Sequence, residues 1–260
     1  MTRPVALVTG ASAGIGDSFA RLLADRAYNL VVVARDVARL EALAKDVAER
    51  HKTHTEVLGA DLTDRARLAT VEARLRDTSR PIEVLINNAG FGSLGDFDQL
   101  DIDVETRMID LNVVALCRLT HAALVPMLER GRGGILNVSS LGGFQPTPKF
   151  STYGGTKAFV TNFTQAVHEE VRGRGVNVSV LCPGFTRTEF QDRAGAEAEK
   201  LPGFVWQSAE DVAKAGLDGL ERNKAVIVPG TVNKLTAGLV SVTPGALSRR
   251  SAAMLSRFFN

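Results

Sequence analysis

Residues 5–16, VALVTGASAGIG, decide the fold because they join an apolar run to a helical pattern through a glycine-rich turn. The run Val5–Thr9 has the length and composition of a buried strand, and helical periodicity extends from Ile15 to Ala27. A turn in this position lets a pyrophosphate approach the backbone and meet unpaired N–H groups at the start of the helix. Such a turn can also simply connect two elements, but its context favours phosphate binding.

Further apolar runs alternate with segments of helical periodicity along the chain. We predict strands at Leu30–Val33, Glu83–Ile86, Gly134–Val138, Val176–Leu181 and Ala225–Val228, with His54–Leu58 as another candidate. We predict the remaining helices at Val37–Arg50, Val104–Arg130, Ser151–Arg174 and Ala209–Arg222. Right-handed crossovers join strands that alternate with helices, so we expect an α/β fold: a doubly wound parallel sheet of Rossmann type with helices on both faces.

Length and composition favour one domain over residues 1–260 that binds no nucleic acid. The chain is 45% hydrophobic and 23% charged, and its 31 basic and 29 acidic residues are interspersed, for a net charge of +2. We find no run of about 18 apolar residues, the length that a membrane-spanning helix needs. The nearest candidate, Ala225–Leu247, contains Lys234 and two prolines, so we predict no membrane span.

The cysteines and the N-terminus favour a cytoplasmic protein without a metal site. Cys117 and Cys182 lie in apolar surroundings and lack metal-ligand spacing, so we predict buried free thiols. The apolar stretch Val5–Val8 is too short for the hydrophobic region of a signal peptide.

A series of motifs follows the glycine turn in an order that resembles the short-chain dehydrogenase/reductase family over nearly the whole chain. The turn is spaced Gly-x-x-x-Gly-x-Gly, and the later motifs are Asp61, Asn87-Asn88-Ala89-Gly90, Asn112, Ser140, Tyr153 to Lys157, and Pro183-Gly184. The resemblance implies an oxidoreductase that transfers a hydride between NAD(P) and a carbonyl/alcohol pair. It also implies a homo-oligomer, a dimer or a tetramer.

Tyr153 and Lys157 are the predicted acid/base pair, because residues four apart in a helix share one face. A phenol with an ordinary pKa near 10 needs a nearby cation to exchange protons around neutral pH. Such a pair is common by chance, but Ser140 lies thirteen residues before Tyr153, the spacing of the family's catalytic serine. Ser140 would donate to the substrate oxygen, whereas we interpret Ser139 as structural.

Asn112 completes the predicted catalytic residues: Asn112, Ser140, Tyr153 and Lys157. Its amide lies among apolar helical neighbours and would be costly to bury without partners. The resemblance implies that it binds a water that joins Lys157 to a proton relay. A hydrogen bond that bends its own helix is the alternative.

The resemblance also assigns the cofactor site. Asp61 and Leu62 would contact the adenine, although Asp61 could instead cap the helix that starts near Asp64. The loop after Pro183 would turn beneath the nicotinamide. The predicted cofactor-binding residues are Gly10, Ser12, Gly14, Ile15, Gly16, Arg35, Asp61, Leu62, Asn88, Ala89, Gly90, Tyr153, Lys157, Pro183, Gly184, Thr186 and Thr188.

Residues at the end of the second strand favour NADP(H) over NAD(H). NAD-binding sheets usually place an acid there to bind the ribose hydroxyls, and Ala34 cannot do so. Arg35 offers a planar cation for a 2′-phosphate, and Ser12 could add a hydroxyl. Asp36 leaves NAD(H) possible, although it also suits the N-cap of the next helix. Arg35 could alternatively be a solvated loop charge.

Residues 185–207 are predicted to cover the substrate, because they follow the cofactor loop and carry Phe190, Leu201, Phe204, Val205 and Trp206. Phe91, Phe144 and Phe150 would add apolar walls and indicate a lipophilic carbonyl compound, with internal packing as the alternative. The tail from Pro244 mixes apolar and basic residues and could contact a partner subunit or a membrane surface, with core packing favoured.

The sequence therefore predicts an NADP(H)-dependent ketone or 3-oxoacyl reductase that acts on a small lipophilic molecule. The alternative is a non-catalytic NADP(H)-binding sensor or scaffold of the same fold. A non-catalytic protein of this kind would be expected to lack Tyr153, Lys157 or Ser140, and the sequence contains all three.

Overall fold

A parallel sheet runs through the part of the chain that the computed structural model describes, which is residues 3–190, 194–195 and 202–243. Its strands are β1 Val5–Thr9, β2 Asn29–Ala34, β3 Thr55–Gly59, β4 Val84–Asn87, β5 Gly133–Val138, β6 Val176–Leu181 and β7 Val226–Ile227. Their order is β3-β2-β1-β4-β5-β6-β7, and every pairing is parallel. The seven predicted strands are confirmed, including the candidate at His54–Leu58.

Helices cover both faces of this sheet, which confirms the doubly wound fold. They are α1 Gly14–Asp25, α2 Val37–His51, α3 Arg65–Arg76, α4 Ile102–Ile109, α5 Leu116–Glu129, α6 Ser151–Glu170, α7 Ala209–Glu221 and α8 Thr231–Val242. Buried side chains of α1, α2 and α7 form one apolar cluster, and those of α3, α5 and α6 form the other. The strand order reverses between β1 and β4, so a crevice opens at their carboxyl ends.

Strand residues alternate between the two apolar clusters because successive side chains point to opposite faces. Ala6 and Val8 join the cluster with Phe19, whereas Leu7 joins the one with Leu119; all five residues are at most 1% exposed. A strand buried on both faces reads as a continuous apolar run, which is why β1 was evident in the sequence.

Capping side chains set the starts of α2 and α3. Asp36 accepts a hydrogen bond from the backbone N–H of Arg39 at 3.0 Å, which confirms it as an N-cap. The idea that Asp61 caps the next helix is wrong, because Asp64 caps it by accepting from Ala66 and Arg67. Asp61 instead accepts from the backbone and the hydroxyl of Thr63 at 2.9 and 2.8 Å.

The single helix predicted at Val104–Arg130 is interrupted. A π-helical turn at Asp110–Ala115 separates α4 from α5, and it contains the buried Asn112. A π turn inserts an extra residue into helical spacing, which apolar periodicity does not reveal. The helix predicted to reach Arg174 ends at Glu170, before Gly173 and Gly175 adopt φ angles of +75° and +79°.

The helical stretch 102–129 is long and apolar enough, by length and composition, to cross a membrane. The prediction that Ala225–Leu247 comes nearest to such a segment is therefore wrong. Half of the apolar window lies buried inside the protein, where Leu119, Ala123 and Met127 pack against the sheet. A core helix of this kind meets the same criterion as a membrane helix.

Both cysteines are free thiols. Cys182 is fully buried at the end of β6, as predicted, but Cys117 is only half-buried. The difference arises because Leu116 and Leu119 take the inward-facing positions of α5.

Four buried polar side chains connect β4, β5, α5 and α6. The Asn87 amide donates to the Asn137 carbonyl oxygen at 2.9 Å and to the Thr120 hydroxyl at 3.1 Å. The Asn137 amide in turn donates to the Thr164 hydroxyl at 3.0 Å. All four residues are at most 3% exposed, so these hydrogen bonds form away from solvent; the Thr164 hydroxyl also donates to the Val160 carbonyl at 2.7 Å.

Substitution of Asn137 by Ala should therefore lower the free energy of unfolding by about 2–3 kcal/mol, because the Asn87 amide and the Thr164 hydroxyl each lose one of two buried hydrogen bonds. Asn177→Ala is the control, since Asn177 is half-buried and makes one bond, to the Leu220 carbonyl; it should cost about 1 kcal/mol or less. Urea titration followed by far-UV circular dichroism measures both. Equal losses of unfolding free energy in the two variants would contradict a stabilising role for the buried hydrogen bonds of Asn137.

Candidate active site

A cleft of about 1220 Å³ opens at the carboxyl ends of the strands. It is lined by residues that follow β1, β2, β3, β4, β5 and β6, and by one side of α8. Every residue predicted to act in catalysis or cofactor binding lines this cleft except Gly16 and Asn112, which lie behind its wall. The structure thus brings together motifs that lie far apart in the sequence.

Gly10 and Gly16 of the turn after β1 have no space for side chains. A Cβ at Gly16 would lie 2.1 Å from the Gly10 carbonyl oxygen, and Gly10 itself has a φ of +66°. Ala13, the N-cap of α1, gives no side-chain hydrogen bond to the first turn. The N–H groups that begin α1 are therefore left for another acceptor, and an anion such as a pyrophosphate fits them.

Thr9 holds the turn in place and was not among the predicted site residues. Its hydroxyl accepts from the backbone N–H groups of Asn88 and Ala89, both at 3.0 Å, and donates to the Ile86 carbonyl at 3.3 Å. The Asn88 amide donates back to the carbonyls of Thr9 and Gly10 at 3.1 and 3.3 Å. A hydroxyl at the end of a fully buried strand needs a hydrogen-bond partner, and this requirement could have identified Thr9 from the sequence.

Charged residues surround the far end of the cleft. Arg35 is exposed at the rim, and Ser12 lines the wall. Asp36 is engaged by Arg39, whose Nε lies 3.4 Å from its carboxylate and whose Nη1 contacts both Glu189 oxygens at 3.0 and 3.1 Å. Burial opposes ionisation of Asp61, but hydrogen bonds from Thr63 and the charge of Arg35 hold the pKa of its carboxyl below the usual value.

Tyr153 and Lys157 project from α6 into the middle of the cleft. The Lys157 Nζ lies 5.7 Å from the centre of the Tyr153 ring and donates to the Val138 carbonyl at 2.9 Å. Ser140 follows β5; its hydroxyl accepts from the Gly142 N–H at 3.1 Å and hydrogen-bonds the Tyr153 phenol. Ser139 is structural, as interpreted, because its hydroxyl donates to the Lys157 carbonyl at 2.7 Å.

Burial shifts the two ionisable groups in opposite directions. It raises the pKa of Tyr153 to about 12, against the smaller lowering effect of the Ser140 hydrogen bond. It lowers the pKa of Lys157 to about 8, against a smaller opposing effect of Cys182. Burial also raises the pKa of the Cys182 thiol to about 12. Both the phenol and the lysine are thus biased towards their neutral forms.

Asn112 holds the loop after β4 against α6. Its carbonyl oxygen accepts from the Phe91 N–H at 3.2 Å, and its amide donates to the Phe91 carbonyl at 2.9 Å and the Thr156 hydroxyl at 3.1 Å. The alternative of a bond to its own helix is wrong, because these bonds cross to other segments. The water relay through Asn112 stays a prediction.

Aromatic rings flank the phenol. Phe190 and Phe150 lie 5.4 and 6.1 Å from the Tyr153 ring, centre to centre. Gly92 permits this arrangement, because a Cβ there would lie 3.1 Å from both Tyr153 and Phe190. The wall is completed by Thr236, Ala237 and Val240 of α8, which were not among the predicted site residues.

The ends of the segment 185–207 pair with each other. The Arg187 N–H donates to the Gln207 carbonyl at 2.9 Å, and the Gln207 N–H donates to the Phe185 carbonyl at 2.9 Å. The Phe185 and Trp206 rings are 5.7 Å apart. Leu201, the side chain of Phe204 and the tail from Pro244 lie outside the described residues.

Three comparisons with known proteins agree. The family model "short chain dehydrogenase" matches residues 4–199. Sulfoacetaldehyde reductase 2 of Chromohalobacter salexigens is 36% identical over 81% of this chain and 85% of its own length. The chain spans 60% of the very-long-chain 3-oxoacyl-CoA reductase of Bos taurus, which is 34% identical over 71% of this chain.

Two solved structures have closely similar folds. A short-chain dehydrogenase from Sphingobium yanoikuyae in complex with NADPH is 39% identical, with a TM-score of 0.83 over 94% of this chain and 97% of its own. The bulky-bulky ketone specific alcohol dehydrogenase from Comamonas testosteroni is 35% identical, with a TM-score of 0.80 over 95% and 97%. The alternative of a non-catalytic sensor or scaffold is not favoured. The chain is a nicotinamide-dependent oxidoreductase of the short-chain dehydrogenase/reductase family.

Proposed function

We propose that this chain is an NADP(H)-dependent reductase of lipophilic ketones or 3-oxoacyl compounds, in which Tyr153 donates the proton. The observation that carries the proposal is the convergence of the Tyr153 phenol, the Ser140 hydroxyl and the Lys157 ammonium in one cleft with aromatic walls. That cleft is continuous with the uncapped start of α1, which suits a pyrophosphate.

Ser140 and Tyr153 act on the substrate oxygen. A bound nicotinamide cofactor supplies the hydride to the carbonyl carbon. Negative charge then grows on the oxygen, where the Ser140 hydroxyl stabilises it by a hydrogen bond and the Tyr153 phenol neutralises it by donating its proton. Because Ser140 and Tyr153 hydrogen-bond each other, their hydroxyls are close enough together for one substrate oxygen to reach both.

Lys157 acts by its charge on the tyrosine. When Tyr153 gives up its proton a phenolate develops, and an ammonium 5.7 Å from the ring centre stabilises it. Burial holds the pKa of the phenol at about 12 despite the Ser140 hydrogen bond, and this is the obstacle to proton transfer that a nearby cation opposes. The bond to the Val138 carbonyl keeps the ammonium in place.

Contacts at the rim support NADP(H) over NAD(H). The carboxylate of Asp36 already caps α2 and pairs with Arg39, so it is less available to a ribose hydroxyl. Arg35 is exposed at the cleft rim with Ser12 nearby in the wall, and a planar cation with a hydroxyl suits a phosphate. A similar protein from Sphingobium yanoikuyae has been solved with NADPH.

Aromatic walls support a bulky, apolar substrate. Phe150 and Phe190 flank Tyr153, and Phe144 and Phe185 line the same cleft. Such walls gain most from burying apolar surface beside the reacting carbonyl. A similar alcohol dehydrogenase is named for bulky-bulky ketones. We propose residues 185–207 as the part that covers this substrate, within one domain.

We also propose a cytoplasmic homo-oligomer. The family resemblance supports the oligomer, and two free thiols suit a reducing compartment.

Tyr153→Phe should lower the rate of ketone reduction with NADPH by at least about 100-fold, because the proton donor is lost while the ring packing remains. A panel of aryl ketones and 3-oxoacyl esters, followed by NADPH absorbance, measures this. Tyr28→Phe is the control, since Tyr28 packs beside α1 and outside the cleft. Unchanged turnover in Tyr153→Phe would remove Tyr153 from proton transfer.

The rate of ketone reduction should fall as the pH rises through about 8, because Lys157 then loses its proton. Burial raises the pKa of Tyr153 and lowers that of Lys157, so we expect the lysine to lose its proton first. In Lys157→Met, kcat/KM should be lower at every pH and show no decline near 8. A decline at the same pH in Lys157→Met would assign the ionisation to another group.

Arg35→Ala should raise the KM for NADPH roughly 10–100-fold, because a charge-assisted phosphate contact is lost, and should leave the KM for NADH nearly unchanged. Arg50→Ala is the control, because Arg50 pairs with Asp46 at the far end of α2. Steady-state kinetics with NADPH and with NADH gives the ratio of the two KM values for each variant. An unaltered preference in Arg35→Ala would show that Arg35 does not contact the 2′-phosphate.

A further inference from the structure

Glu105 is a buried carboxylate that the proposed mechanism does not use. It lies on α4 and is 2% exposed. One of its oxygens, Oε1, accepts a hydrogen bond from the Ser93 hydroxyl. The other, Oε2, is buried and accepts no hydrogen bond from any residue that the structure describes. A buried acceptor without a partner costs free energy, so an apolar side chain at this position would favour stability more. Stability alone therefore does not account for the carboxylate.

The loop after β4 brings Ser93 close to the proton donor. Its neighbour in the chain, Gly92, is buried, and a Cβ there would lie 3.1 Å from both the Tyr153 and the Phe190 rings. The backbone at Gly92 therefore packs directly against the phenol ring. Because consecutive Cα atoms are about 3.8 Å apart, a bond that fixes Ser93 also restrains the backbone that covers the phenol.

The same loop is held at several separate points. Thr9 holds its start, through the backbone N–H groups of residues 88–89. Asn112 binds both backbone groups of Phe91. Farther along, Glu105 holds the loop through the hydroxyl of residue 93. Loss of Glu105 would therefore free the part of the loop that contacts the phenol, whereas the part that lies against the glycine turn would stay in place.

We propose that Glu105 is a positioning residue for the proton donor: through Ser93 it holds Gly92 against the ring of Tyr153. This inference rests on the proposed role of Tyr153 in proton transfer. A phenol held in one orientation delivers its proton to a substrate oxygen at a fixed place, and a misplacement of about 1 Å can lower a rate about 100-fold. Glu105 does not line the cleft, so it acts through the loop and not on the substrate.

Glu105→Leu and Ser93→Ala remove the hydrogen bond from its two sides. Each should lower kcat for ketone reduction roughly tenfold or more, because the phenol is no longer held in place. The Kd for NADPH should change by less than about twofold, since Thr9 still holds the cofactor turn. Glu105→Gln keeps an oxygen that accepts from Ser93, so it should retain most of the wild-type kcat. Stopped-flow kinetics and NADPH fluorescence titration measure these values.

Glu72→Leu is the matched control. Glu72 is 3% exposed and pairs with Arg76 and Arg118, but it lies on α3 and does not line the cleft. Both arginines are about half exposed, so they can turn to water when the carboxylate is removed. This variant also loses a buried carboxylate and its hydrogen bonds, yet its kcat should stay near that of the wild type. Circular dichroism confirms that each variant is folded.

Ionisation of the phenol provides a second readout that needs no substrate. The sequence contains two tyrosines, so in a Tyr28→Phe background the absorbance of tyrosinate reports Tyr153 alone. With a pKa of about 12, roughly 1% of this phenol is ionised at about pH 10. Glu105→Leu should raise that fraction several-fold, because the freed loop lets water reach the ring and burial is what raises the pKa. Glu105→Gln should leave it nearly unchanged.

A lower kcat with an unchanged NADPH Kd in Glu105→Leu and Ser93→Ala, restored in Glu105→Gln, supports the proposal. Wild-type kcat in Glu105→Leu overturns it. An equal loss of kcat in Glu105→Gln also overturns it, since the charge and not the hydrogen bond would then matter, as does an equal loss in Glu72→Leu. A wild-type protein that reduces no ketone contradicts the proposed function instead. Phenol ionisation then decides this inference, which fails if Glu105→Leu leaves the ionised fraction unchanged.

Discussion

The close approach of α1 to the end of β1 is the constraint on which the rest of the site depends. The Gly10 carbonyl occupies the space where any side chain at residue 16 would begin. This contact brings the start of a helix against the central crevice of the sheet, where its N–H groups face an anion. Thr9 then connects the same point to β4 through Asn88 and Ala89, so the two strands that border the crevice hold the turn from both sides.

Element type and order were predictable because the strands are buried on both faces. Fully buried parallel strands read as apolar runs, and β6, Val176–Leu181, has the predicted boundaries. The π turn at Asn112 was not predictable, because α4 and α5 continue the same apolar periodicity on either side of it. The half-burial of Cys117 was also missed. Neighbouring residues of a helix point in different directions, so a residue beside a buried one need not face the sheet.

The residues of the candidate site were predictable where they belong to a motif with a chemical role. They were not predictable where they only pack against the site. Tyr153, Lys157 and Ser140 were selected by spacing, and they meet in the cleft. Thr9 and the three α8 residues that border the cleft were missed, because a hydroxyl and small apolar side chains have no distinctive pattern. Asp61 shows the limit of local reasoning: two acids, Asp61 and Asp64, lie near the start of α3, and only the backbone geometry assigns the cap to Asp64.

The Arg39–Glu189 ion pair has a consequence for turnover. It links the start of α2 to the loop after β6, at the rim through which a dinucleotide passes. Both side chains are about half exposed, and such pairs contribute only about 0–1 kcal/mol. Thermal motion therefore breaks the link often, and dissolved ions weaken it further. Release and binding of the cofactor through this rim should then be faster in concentrated salt. If cofactor release limits turnover, kcat should rise with ionic strength.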